Sequence, residues 1–201
     1  MRPKLDFWYE FASTYSYLAA LRIEALAKER NVDIAWRPFL LGPIFKAQGW
    51  DTSPFNLFPH KGAYMWRDIE RLCDAQGLKF RRPEPFPQSS LLAARLALTP
   101  EVTPRRAEFS RRVYLVHFAE GARIDDEAVL RGIVESLGLD ADTALTQSRS
   151  DAVKLGLRQA TDEAMRLKLF GAPSFVTLKG EVFWGNDRLE TALGWASKER
   201  S

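Results

Sequence analysis

Tyr9-Glu10-Phe11-Ala12-Ser13-Thr14-Tyr15-Ser16-Tyr17-Leu18 is the stretch on which the reading of the fold turns. Leading into it, Leu5 to Phe11 alternates like a strand and is rich in Phe, Trp and Tyr, as a buried strand should be. Beyond it, Tyr17, Leu18, Leu21, Ile23, Leu26 and Ala27 recur at helical spacing. Ser13 therefore sits at a strand-to-helix turn. A serine there accepts from the free N–H groups of the first helical turn and acts as a cap. The same turn presents unpaired donors and the positive end of a helix dipole, which favour an anion. From this stretch alone Ser13 reads either as a cap or as a hydroxyl serving an anion site.

Working outward, the remaining elements follow by pattern. Asp33 to Leu40 is a second strand, entered through Asn31, so the first 40 residues read as βαβ with a right-handed crossover. Residues 41–60 carry Gly42, Pro43, Gly49, Pro54 and Pro59 among Trp50, Phe55 and Phe58. Such punctuation predicts an ordered aromatic loop covering a site. An amphipathic helix over 61–80 follows, with Tyr64, Met65, Ile69, Leu72 and Cys73 on one side, ending at Gly77. Arg81 to Pro87 reads as an extended, Pro-rich connector. Helical patterns resume at about 88–98, 101–119, 125–137, 140–148 and 151–169. The strands Ser174–Leu178 and Glu181–Trp184 then flank Lys179-Gly180 as a hairpin, and a last helix opens near Asn186-Asp187.

Two halves of a small mixed sheet separated by an all-helical block is the layout of an α/β, thioredoxin-like fold with a large all-helical insertion. The expected organisation is a first thioredoxin half over 1–42, an insertion over 43–150 and a second half over 151–201. The 201 residues suit one domain carrying an insert, and 46% hydrophobic content is that of a globular protein. A net charge of +3, scattered along the chain, argues against nucleic acid as a partner. No apolar run approaches bilayer-spanning length, and no signal-peptide core precedes the first strand, so the expected compartment is the cytoplasm. One cysteine forms no internal disulfide, and His60 and His117 lack metal-ligand spacing, so no metal is expected.

Four motifs carry a family resemblance. Tyr9 to Leu18 resembles the F-D-F-x-S-P-x-S-Y-L opening of 2-hydroxychromene-2-carboxylate isomerases and of the related kappa-class glutathione transferases, with Thr14 standing at the proline. Phe58-Pro59-His60-Lys61-Gly62-Ala63-Tyr64-Met65 resembles their P-x-K-G-x-Y-M segment. Phe170-Gly171-Ala172-Pro173 resembles F-G-x-P, which carries the cis-proline of the fold. Phe183 to Leu189 is similar to W-G-N-D-R-L, nearer to the isomerase version than to the F-G-S-D-R of the transferases. The resemblance runs through the whole chain and implies a DsbA-like, kappa-transferase-type architecture.

It also implies glutathione as cofactor. The turn Ser13-Thr14-Tyr15-Ser16 holds no sulfur, where dithiol oxidoreductases carry Cys-x-x-Cys, so any reacting thiol comes with the ligand. A free thiol has a pKa of about 8.5, and a Ser13 hydroxyl with the helix N-terminus would lower it. Ser13 is thus the catalytic candidate, as an anion stabiliser. By resemblance, Ala172 offers its N–H and C=O, freed by a cis bond to Pro173, to the peptide backbone of glutathione. Asn186 and Asp187, otherwise an N-cap pair, suit the γ-glutamyl end, and Lys61, otherwise a solvated lysine, suits the glycyl carboxylate. Asn56 or Trp50 stands in for the loop asparagine of relatives. Phe55, Phe58 and Tyr64 are expected to wall a small aromatic substrate, and a homodimer is the implied assembly. The leading expectation is a glutathione-dependent cis–trans isomerase of the 2-hydroxychromene-2-carboxylate type. Its alternatives are a kappa-type transferase and a glutathione- or peptide-binding module without catalysis.

Overall fold

The structure is a computed structural model that describes residues 2–199. β1 (Lys4–Tyr9), α1 (Thr14–Glu29) and β2 (Asp33–Pro38) open the chain. β3 (Ser174–Thr177) and β4 (Val182–Trp184) complete a four-stranded sheet of order β2-β1-β3-β4. β1 runs parallel to β2 and antiparallel to β3, which is antiparallel to β4. Between β2 and β3 the described chain forms helices and no strands: α2 (Leu41–Ala47), α3 (Pro54–Leu57), α4 (Pro59–Ala75), α5 (Leu91–Leu96), α6 (Arg106–Phe118), α7 (Glu127–Ser136), α8 (Ala141–Ser148) and α9 (Asp151–Arg166). α10 (Leu189–Ala196) ends the fold. This is the expected α/β, thioredoxin-like sheet interrupted by many helices.

The period-2 pattern of β1 explains its central place. Leu5, Phe7 and Tyr9 are buried on one face, where Phe7 stacks on Phe175 at 5.5 Å and meets Trp36 edge-on at 4.9 Å. Tyr9 and Phe11 carry this aromatic layer to Tyr114 of α6, and the Tyr9 hydroxyl lies 2.7 Å from Ser110 Oγ. On the opposite face Trp8 packs with Phe39, Ile44, Ala164, Leu169 and Val176, beneath α2 and α9. β1 stops two residues earlier than its hydrophobic pattern suggests, because the Glu10 carbonyl turns to accept from the Ser13 N–H at 3.0 Å.

The segment 41–60 corrects an expectation: it holds helices where a loop was predicted. Pro43 falls in the first turn of α2, and Pro54 is the first residue of α3, whose cap Ser53 accepts from the Phe55 N–H at 3.2 Å. Proline in a first helical turn forfeits no hydrogen bond, so these prolines start helices instead of breaking them. Pro59 does the same for α4, bringing Lys61 into its first turn. α4 then passes so close to α3 that a Cβ on Gly62 would lie 2.3 Å from the Phe55 carbonyl oxygen.

Candidate active site

The C-terminal end of β1 and the start of β3 meet at the Trp8–Ser174 pair, and the chain approaches this edge through two loops. One is the turn Glu10–Ser13. The other is Gly171–Pro173, whose Ala172–Pro173 bond is cis. Ser13 joins them: its Oγ accepts from the Ser16 N–H at 3.2 Å and donates to the Ala172 carbonyl at 2.9 Å. Ser13 therefore caps α1, and its hydroxyl proton is directed across the turn to the Ala172 carbonyl. The expectation that Ala172 keeps both backbone groups free is corrected by the same bond, because its carbonyl is occupied by Ser13. Among the described residues its N–H has no partner.

The cis-proline loop is braced on either side. Ser174 Oγ donates to the Gly171 carbonyl at 2.8 Å, and the Gly185 N–H donates to the Pro173 carbonyl at 2.9 Å. Trp184 lies directly over Gly171, where an added Cβ would come within 2.4 Å of its indole nitrogen. Its ring packs on Phe170 at 4.8 Å, and about half of each side chain faces solvent.

Asn186 and Asp187 begin a single 3-10 turn, Asn186–Arg188, before α10, and neither side chain caps it, so the N-cap alternative fails. Asn186 is buried and turned toward α1, where Arg22 donates to its Oδ1 at 3.0 Å and to its carbonyl at 3.4 Å. Asp187 is exposed, 3.5 Å from Arg188, with its Oδ1 filling the space a Cβ on Gly185 would take. Gly185 adopts φ 108°, a conformation glycine reaches without strain.

α4 covers the turn from the other side, with Thr14 Oγ1 donating to Met65 Sδ at 3.3 Å and the Tyr15 hydroxyl donating to Asp68 at 2.9 Å. Lys61 stands one turn before Met65 on the same helical face and is exposed. Asn56 is not drawn in. Its Nδ2 donates to Thr52 Oγ1 at 3.2 Å within its own turn, and no contact among the described residues joins it to Ser13, Ala172 or Asn186. Trp50 packs against Phe45 at 5.9 Å. Phe58 and Tyr64 are exposed, while Phe55 packs partly into the core. Cys73 is buried away from solvent, which pushes its thiol up to about 11 and leaves it inert. No cluster of three His, Cys, Asp or Glu side chains able to hold a metal occurs among the described residues.

Sequence reasoning passed over Glu10. Its carboxylate is buried three residues before Ser13, accepting from the Ala12 N–H at 2.9 Å and from the Ser90 hydroxyl. Its backbone carbonyl accepts from Tyr114 at 2.9 Å as well as from Ser13. Burial raises its pKa to about 7, against the opposing pull of Ser90 and the Ala12 N–H. The available signal was an acidic residue inside an aromatic strand end, where an unpaired charge is costly.

Residues 4–194 match the DSBA-like thioredoxin domain family. The chain belongs to this family. A 2-hydroxychromene-2-carboxylate isomerase of Sphingobium xenophagum is 32% identical over 94% of this chain and 96% of its own. A kappa 2 glutathione S-transferase of Caenorhabditis elegans is 25% identical, covering 94% and 89%. Among solved structures, one of a 2-hydroxychromene-2-carboxylate isomerase superposes with a TM-score of 0.84 at 26% identity, over 96% of this chain and 95% of that one. As a DSBA-like protein the chain stands with these isomerases, and its serine turn departs from dithiol chemistry: no Cys-x-x-Cys occupies residues 13–16. The turn offers a hydroxyl, a helix N-terminus and, at Ala172, a backbone N–H unpaired among the described residues.

Proposed function

We propose that this protein is a glutathione-dependent cis–trans isomerase of the 2-hydroxychromene-2-carboxylate type, acting on a conjugated aryl-pyruvate-like substrate. The observation that carries the reading is the Ser13 hydroxyl, poised at the N-terminus of α1 and hydrogen-bonded to the carbonyl before the cis-proline. When bound, glutathione supplies a thiolate that adds reversibly to a conjugated carbon, so that a double bond becomes single, rotates and is restored with the thiol unchanged.

The chain's part is to hold that sulfur as an anion. Rotation of Ser13 away from Ala172 frees one O–H donor for the sulfur and one carbonyl for the cysteinyl N–H. The Ala172 N–H takes the cysteinyl carbonyl, as in strand addition. First-turn N–H groups of α1 and its dipole add to the stabilisation of the thiolate. Asp187 pairs with the γ-glutamyl ammonium, with Asn186 held in place by Arg22, and Lys61 pairs with the glycyl carboxylate. Asn56, tied to Thr52, would have to leave that bond to contribute. Donors set in place before reaction cost little reorganisation as charge develops.

The test is calorimetric titration of glutathione into wild type and Ser13→Ala across pH, in buffers of different ionisation enthalpy. Proton release near neutral pH that vanishes in the variant supports a Ser13-stabilised thiolate. Absence of binding by the wild type overturns the reading. Free thiol that stays constant during turnover supports the isomerase, whereas stoichiometric loss of thiol means a transferase.

A further inference from the structure

A second cleft, of about 310 Å³, lies where the end of β2 meets α5 and α9. Its apolar wall is Leu40, Leu91 and Leu157, and its cations are Arg95, Lys154 and Arg158. One acid, Asp162, lines it as well. Among the described residues, Lys154 is held only by exposed Asp151 at 3.2 Å, and Arg158 only by exposed Asp162 at 4.0 Å. Such solvated pairs are worth little and yield easily to another anion. Arg95 has no hydrogen bond or ion pair among the described residues, yet its Nε is buried without an acceptor. Buried donors are normally satisfied, and an unmet guanidinium N–H is expensive. The neighbouring polar groups are already paired: the Leu40 N–H donates to Thr161 Oγ1 at 3.3 Å, and that hydroxyl donates to the Leu157 carbonyl at 3.0 Å.

We propose that this cleft binds a small monocarboxylate with an apolar body, Arg95 gripping the carboxylate and Leu40, Leu91 and Leu157 enclosing the rest. A guanidinium offers two parallel donors that match the two oxygens of a carboxylate. Lys154 and Arg158 add attraction from the rim. The volume lies at the small end of ligand pockets, which run from about 300 to 1,000 Å³, and suits a single ring on a short acid tail. The cleft uses none of the residues assigned to glutathione. The proposal does not rest on the glutathione reading.

The test is an NMR titration of the ¹⁵N-labelled full chain with 3-phenylpropanoate, and with 3-phenylpropanamide as its uncharged counterpart. The expected result is saturable shifts at the Leu40 and Thr161 amides with the acid and none with the amide. Affinity should fall about tenfold in Arg95→Ala, be partly restored in Arg95→Lys and be unchanged in Ser13→Ala. If Arg95→Ala melts early, the surface double variant Lys154→Ala/Arg158→Ala should weaken binding several-fold on an intact fold. No saturable binding, equal binding of the amide, indifference to the Arg95 and rim variants, or shifts centred on Ser13 and Ala172 would each overturn it. In turnover, competition by the acid with substrate, accompanied by a raised KM in Arg95→Lys, assigns the cleft to the substrate's own carboxylate. Non-competitive behaviour assigns it to a separate ligand of the same chemistry.

Discussion

Ser13 carries two duties with one oxygen, and they separate by substitution. Ser13→Ala loses the cap on the Ser16 N–H and the O–H to Ala172 together. Loss of an N-cap costs about 1 kcal/mol, while loss of a donor to a developing anion costs roughly a hundredfold in rate or more. Ser13→Gly costs only a few tenths of a kcal/mol in capping. The glycine variant is therefore expected to melt close to wild type and still to be as inactive as the alanine variant, as thermal melts beside initial rates will show. Activity that tracks stability, with the glycine variant nearly as active as wild type, would reduce Ser13 to a cap. Gly171 makes a complementary case. Gly171→Ala must push the half-exposed Trp184 ring aside, since the new Cβ falls 2.4 Å from its nitrogen. An exposed ring moves at little cost, so the melting temperature should hold while glutathione affinity drops.

At the level of elements, α3 and α4 are locked by one contact. Gly62→Ala would set a Cβ 2.3 Å from the Phe55 carbonyl oxygen, which is backbone and yields only if α3 shifts. Overpacking of this kind costs about 1–3 kcal/mol, to be read from urea denaturation midpoints, and Lys61 would move with its helix. The sheet and the long helices were legible in the sequence because burial on one face imposes a period, as in Leu5, Phe7 and Tyr9 of β1. The segment 41–60 was not, because proline has opposite meanings inside a helix and in its first turn, and only the chain around it tells which. Within the site, Ser13, Ala172 and Pro173 were readable from motifs at fixed positions. The Ser13–Ala172 bond was not, since it spans 159 residues and depends on how β1 and β3 pair. Arg22 escaped notice for the same reason: its partner, Asn186, is distant in the chain.

For the whole molecule, two buried groups set the response of stability to pH. Burial holds Glu10 up to about 7 from an ordinary 4.5, so the folded state binds the extra proton between those values and Glu10's contribution is lost as pH rises through about 7. The size is on the order of 3 kcal/mol. Burial holds His117 down to about 4 from 6.5, so the unfolded state binds the extra proton and His117's contribution is lost as pH falls through about 4. Between about 4.5 and 6.5 the two slopes oppose one another, and wild-type stability should be nearly flat. Glu10→Gln should then gain stability with rising pH across that interval, and His117→Asn should lose it. Denaturation at a series of pH values checks both, and parallel curves for all three proteins would contradict it.

The hydrogen bond between Ser13 and the Ala172 carbonyl also bears on selectivity. With that bond in place, the protein is already bound to itself, and an arriving molecule takes part in an exchange. On the glutathione reading proposed above, a thiol with no second donor, such as ethanethiol, would satisfy the released hydroxyl but strand the released carbonyl, and a thiol-free peptide would do the reverse. On that reading only a partner bringing sulfur and amide together would leave both ends matched, so discrimination against simple thiols would follow from the resting contact.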